Sequence, residues 1–192
     1  RTGGAVRLLS REAHDACERN PLHALGLAEA ACEIADALPD DYYPGDGVYE
    51  LRGTAWKAVA NASRYLGRFA EGFTAIDRAE SAFKHLPNPL QHLARVSYIR
   101  ALFFWKQQNH TRALELACEA ARRSDACGDL EGFVYAHNLE GGILIRVGRV
   151  AEALDRFVAV KASAQMLDDL ELEARAINNI GNCYTDMGDH AA

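Results

Sequence analysis

A short turn signature recurs through this sequence at an almost constant interval, and nothing else in the chain constrains its fold as tightly. The marks are Gly67 in Tyr65-Leu66-Gly67-Arg68-Phe69, Gln108 in Gln107-Gln108-Asn109-His110, Gly148 in Arg146-Val147-Gly148-Arg149, and Gly188 in Asp186-Met187-Gly188-Asp189-His190. They stand 41, 40 and 40 residues apart. Self-similarity at such a period signals a repeat architecture, in which each unit buries its apolar face only against its neighbours. A second segment with helical apolar spacing follows three of the marks, over 73–84, 113–125 and 153–167. The unit is therefore helix, tight turn, helix. Glycine suits the turn because the closing residue adopts a conformation that costs a Cβ-bearing residue free energy. In the middle unit Gln108 stands at that place, so the sequence specifies that turn least well.

Small residues recur where the two helices of a unit must approach. Ala60, Ala101, Gly141 and Gly181 precede the mark by seven residues, and Gly72, Ala113 and Ala153 follow it by five, with Ala79 and Ala120 seven further on. Large apolar side chains such as Trp56, Phe104, Leu144, Phe157, Ile180 and Tyr184 lie between them, as interiors packed to crystal density require. All five prolines fall near proposed helix boundaries, and no segment alternates as a strand would.

The stretch Ala174-Arg175-Ala176-Ile177-Asn178-Asn179-Ile180-Gly181-Asn182-Cys183-Tyr184, followed by Met187-Gly188-Asp189, resembles the first helix and turn of a tetratricopeptide repeat. The segment from Trp56 through Gly67 and Phe69 to Ala79 is similar, with Trp56 at the family's aromatic start position. The period is about six residues longer than the ~34 of the standard repeat, and it resembles the long-helix variant of kinesin light chains and bacterial peptide-responsive regulators. HEAT-like repeats have similar periods and are the structural rival. The Gly-Asp and Asn-Asn-Ile-Gly-Asn signatures favour the tetratricopeptide resemblance. It implies an all-α, right-handed superhelix of about 4.5 hairpins, about nine helices in all.

The expected division is one solenoid over 1–192. Residues 1–40 form a degenerate first hairpin turned at Asn20-Pro21, and 41–52 a loop rich in turn formers. Repeats follow over 53–88, 89–128 and 129–168, and 169–192 is the opening helix of a further repeat. That last repeat lacks its second helix, and the chain starts at Arg1 rather than Met. The expectation is therefore a piece of a longer protein, with more repeats or an effector domain beyond.

Several function classes fall away. With 49% hydrophobic and 25% charged residues the chain has the composition of an ordinary globular protein, and no apolar run approaches the ~20 residues of a membrane span. A net charge of −6 argues against a nucleic-acid binder driven by bulk electrostatics. Five cysteines without a Cys-x-x-Cys spacing point to free thiols in a reducing cytoplasm rather than to disulfides or a metal site. No phosphate loop, His-Glu-x-x-His or Gly-x-Ser-x-Gly occurs, so no catalytic residue, metal ligand or cofactor site is expected. Gly141-Gly142 reads as close helix packing. His137 reads as a partly buried structural histidine, and Asp40-Asp41 and Asp168-Asp169 as helix caps or solvated turns. Asn is a poor helix-interior residue, so Asn178-Asn179 asks for an explanation outside helix formation. For Asn179 that is a bond across to the adjacent repeat.

In a tetratricopeptide superhelix the first helix of each unit lines the concave side. The resemblance therefore implies that positions thirteen, ten, six and three before each mark project into a groove. In the first clear unit these are Thr54, Lys57, Asn61 and Arg64. The next gives Arg95, Tyr98, Leu102 and Trp105. The third gives Tyr135, Asn138, Gly142 and Ile145, and the last Arg175, Asn178, Asn182 and Thr185, with Lys106 and Arg146 at the rim. Six of these are cations in a chain of net negative charge, with Asp186 the lone acid at a matching place. Such a face would select acidic side chains or a terminal carboxylate while Asn amides grip peptide backbone. Lys57 and Asn61 resemble part of the family's carboxylate clamp. Ile99 stands where the matching Asn of the next unit would be, so a full clamp is not expected. The alternative is that these are solvated helix faces whose arginines pair with acids on adjacent repeats.

The expected function is a protein- or peptide-binding scaffold, the sensor or interaction segment of a bacterial signalling or regulatory protein, recognising an acidic or extended peptide. The rival is an oligomerisation spacer whose groove is filled by a flanking segment or a second subunit. An enzyme contributing only regulation through this segment is a third.

Overall fold

The computed structural model describes residues 2–188; Asp189 and His190 of the last turn signature lie outside them, as does Arg1. Nine α-helices and no strand occur among the described residues. They are α1 (Thr2–Ala16), α2 (Pro21–Asp36), α3 (Gly47–Tyr65), α4 (Phe69–Phe83), α5 (Leu90–Lys106), α6 (His110–Ala126), α7 (Leu130–Arg146), α8 (Val150–Met166) and α9 (Leu170–Asp186). The chain forms two compact units, 1–99 and 100–192.

The turns follow one physical rule. Gly67, Gln108, Gly148 and Gly188 take φ values of 70°, 60°, 79° and 79°. Behind the first three, the next amide reaches back to the carbonyl five residues earlier: Arg68 to Ser63, Asn109 to Phe104 and Arg149 to Leu144, each at 2.9 Å. This is the helix-ending pattern that satisfies carbonyls left over at a C-terminus. Gln108 adopts the left-handed conformation despite its Cβ, so the middle turn has the geometry of its glycine counterparts. Gly128 and Asp168, at φ 70° and 54°, close the connections between hairpins in the same way. From Gln108 onward a left-handed residue therefore recurs every 20 residues, and α6 to α9 are each 17 residues long. Polar caps restart the helices: Asn20, Asn109, Asp129 and Asp169 each accept the backbone N–H three residues on.

In unit 1, α1 packs on α2 and α3, α2 on α3, and α3 on α4. The expected loop over 41–52 is shorter than that, because α3 begins at Gly47. Gly45 and Asp46, at φ 66° and 61°, close the turn early, and the Tyr43 side chain packs beside Gly47 while its hydroxyl accepts the Gly3 N–H at 3.0 Å. Arg52 ties α3 to the end of α2, donating to Asp40 at 2.6 Å and to the Leu38 carbonyl at 2.6 Å. Hydrogen bonds from Arg52 and Tyr49 hold the Asp40 carboxyl below its usual range.

In unit 2, α7 packs between α6 and α8, and α9 packs on α8. Its core includes Leu144, Ala153, Phe157 and Cys183 as one cluster and Val134, Val160 and Ala176 as another. The small residues do what their spacing suggested at Ala113, Ala120, Gly141 and Ala153, all buried. A Cβ on Gly141 would lie 2.6 Å from the Phe157 ring, whereas one on Gly142 would meet nothing within 4 Å. Close packing thus explains the first glycine of that pair and not the second. Gly181, at the equivalent place on α9, is exposed, because no described helix covers that face.

Candidate functional site

The sixteen groove positions fall on α3, α5, α7 and α9, and none of them is buried. Those on α3 and α5 are all half-buried; Tyr135 and the four on α9 are exposed. Half-burial follows from placement beside, rather than in, the helix–helix seam. Each unit carries its own part of the set.

In unit 1, Lys57, Asn61, Arg64, Arg95 and Tyr98 lie on α3 and α5. Arg64 donates to the Asn61 side-chain oxygen at 2.9 Å and lies over the Tyr65 ring at 4.1 Å, while the Asn61 amide reaches Cys17 Sγ at 3.4 Å. These two residues grip each other in the free protein. Lys57 differs: it makes no hydrogen bond or ion pair among the described residues. Burial, and after it the neighbouring Arg95, push its ammonium below the usual range. A layer of aromatic packing explains this placement. The Phe83 ring occupies the space a Cβ on Gly53 would need, and His92 stacks on the same ring at 4.4 Å. Lys57 is one helical turn past Gly53, and Arg95 one turn past His92, so both project over the next layer.

In unit 2, Leu102 and Trp105 are half-buried at the end of α5, Trp105 lying 5.2 Å from the His110 ring. Asn138 accepts the Asn179 amide at 3.4 Å, the bond between repeats expected of Asn179. Arg175 pairs with Glu171 on its own helix at 2.5 Å, and Asn178 and Asn182 are exposed. Lys106 and Arg146 have no ion pair among the described residues. On and beside the second helices, Arg112, Arg123 and Arg149 each hold a glutamate three or four residues away, at 2.6, 2.7 and 2.6 Å. Cations without an ion pair among the described residues thus occur on leading helices, at Lys57, Lys106 and Arg146, and on second helices, at Arg78, Arg122 and Lys161.

Two residues escaped the sequence. His92 sits a turn before Arg95, at a place the register did not select. Glu140 is buried on α7, its Oε2 3.3 Å from His137 Nδ1 and 2.8 Å from Arg156 Nε. Nothing in the local sequence distinguishes Glu140 from a solvated helix glutamate; only Arg156, sixteen residues on, would have signalled it. His137, as expected, is partly buried and structural, with its ring edge-on to Phe133 at 4.2 Å.

Hairpins of antiparallel helices joined by left-handed turns define this chain as a helical-repeat protein. It is similar in structure to BtubC (BKLC) from P. vanneervenii, with a TM-score of 0.65 over 99% of this chain and 84% of that one, at 16% sequence identity. No protein family and no curated protein matches it in sequence.

Proposed function

We propose that the chain is a binding module that takes an acidic or extended peptide on the faces of its leading helices, and that it carries no chemistry of its own. One observation carries this: half-buried Lys57 has no carboxylate partner among the described residues, and burial pushes its ammonium below the usual range. A charge left uncompensated and partly desolvated gains most from an anionic ligand. Tyr98, Trp105 and Tyr135 supply flat apolar surface, and Asn178 and Asn182 supply exposed amides for peptide backbone. In this reading the segment senses or scaffolds within a larger signalling or regulatory protein of the cytoplasm. The free thiols fit that compartment: burial pushes Cys32 up to about 12, which leaves it inert.

Selection of random dodecapeptides displayed on phage tests the proposal. Enriched sequences should be net acidic, and their binding should fail on Lys57→Glu/Arg95→Glu, whose helical circular dichroism stays at the wild-type level. Two charged hydrogen bonds are worth about 3 kcal/mol or more, at least about a hundredfold in Kd. Neutral or basic winners, no enrichment, or undiminished binding by the folded double variant refutes it.

A further inference from the structure

A groove runs along one face of α6 in unit 2, and none of the leading-helix positions of the candidate site lines it. His110, Leu114, Cys118 and Arg122 follow one another at four-residue steps, so they form a single row about 18 Å long. Val147 and Arg149, from the turn between α7 and α8, complete the lining around a cavity of about 630 Å³. Sites for small organic molecules are roughly 300–1,000 Å³. Leu114, Cys118 and Val147 give the groove apolar walls. Burial first, and then the charge of Glu140, push the Cys118 thiol up, so it stays uncharged at neutral pH. The charged groups around the cavity do not cancel. Glu115 on the wall is held by Arg112 at 2.6 Å, and Arg149 donates two hydrogen bonds of 2.6 Å to Glu152. Arg122 is left over, exposed and without a hydrogen bond or ion pair among the described residues. In a chain of net charge −6, one surplus positive charge thus stands at the end of an apolar row.

We propose that this groove binds a linear amphipathic acid, its carboxylate on the Arg122 guanidinium and its hydrocarbon chain laid over Cys118 and Leu114 toward Val147. The site is separate from the faces that take acidic peptides, and it stands or falls without them. Shape sets the body of the ligand, because a row of about three helical turns matches an extended chain. The single surplus cation sets the headgroup. A guanidinium donates two parallel hydrogen bonds to a carboxylate, and the methylene stem of Arg122, one turn beyond Cys118, continues the apolar row beneath it. A phosphate or a dicarboxylate would bring a second negative charge, and Arg149 would have to leave Glu152 to meet it. Removal of the chain from water drives the binding, each fully buried methylene strengthening it about fourfold.

Dodecanoate, kept below its micelle concentration, is the probe, titrated calorimetrically into the whole chain. Arg122→Gln should weaken it at least about tenfold. That side chain is exposed and unpaired, so the variant keeps the fold, as circular dichroism checks. Decanoate should bind about four- to fifteenfold more weakly than dodecanoate. Dodecylamine, with the same chain and the opposite charge, should bind the wild type at least about tenfold more weakly than the acid, and Arg122→Gln should remove that difference. A second readout locates the ligand on the wild-type protein. At about ten times its Kd, dodecanoate should slow alkylation of Cys118 about tenfold and leave that of exposed Cys127 unchanged. Acidic-peptide binding should be indifferent to dodecanoate. No binding, binding that Arg122→Gln leaves intact, an amine as tight as the acid, Cys118 no better protected than Cys127, or competition with the peptide each overturns the proposal.

Discussion

Gly141 and Gly142 are neighbours in the middle of α7, and the structure assigns them opposite responses to the same substitution. Glycine to alanine within a helix gains about 1 kcal/mol from reduced unfolded-state freedom and better propensity. At Gly142 the new methyl meets nothing within 4 Å, so Gly142→Ala should stabilise by that full amount. At Gly141 the methyl would sit 2.6 and 2.7 Å from two Phe157 ring atoms. Phe157 is 2% exposed and packed among Leu144, Ala153 and Cys183, so its ring has nowhere to retreat. Overpacking of this kind costs about 1–3 kcal/mol. Net of the helical gain, Gly141→Ala should run from neutral to about 2 kcal/mol destabilising, leaving it about 1–3 kcal/mol below Gly142→Ala. Urea unfolding followed by circular dichroism measures both, and Phe157→Leu should restore much of the loss in a double-mutant cycle. Equal stabilities, or a more stable Gly141→Ala, would refute the packing account, because propensity cannot separate adjacent positions of one helix.

Gln108 holds φ at 60°, a conformation that costs a Cβ-bearing residue about 1–2 kcal/mol, so Gln108→Gly should raise the thermal midpoint while Gly148→Ala lowers it, both read by calorimetry. Glu140→Met and Glu140→Ala both strand His137 and Arg156 without their acceptor, but Met fills the volume and Ala leaves a cavity; Ala should be less stable than Met by about 1–3 kcal/mol in urea unfolding, and equal stabilities would count against the close packing around Glu140.

The architecture was legible because helical repeats write themselves in local terms. Turn residues at a 40-residue period and small residues at fixed offsets specify hairpins without long-range information, as Ala101, Gly141 and Ala153 illustrate. The finer period was missed because its marks change identity: Gly128 and Asp168 share a backbone conformation but no side-chain signature. The loop over 41–52 was overextended because α3 starts at Gly47, directly after a run of turn formers, and is held helical by packing on α1 and α2. The candidate site was half legible. Register places Lys57 and Arg95 on leading helices, but it says nothing of Asn61 engaging Arg64, or of His92 stacking on a phenylalanine from another helix. Those depend on which side chain fills the space a glycine leaves, and that is decided in three dimensions.

The constant stride of 20 residues between left-handed turns has a consequence for sequence change. Each helix of 17 residues is about 25 Å long, and one residue inserted within it would swing everything beyond by about 100°, carrying its small residues out of the seam. From Gln108 onward the turns offer no slack either, because each closes on a single left-handed residue. Changes in length are better absorbed in the longer connections 37–46 and 84–89. Beyond Gln108 the chain can grow or shrink only by whole helices.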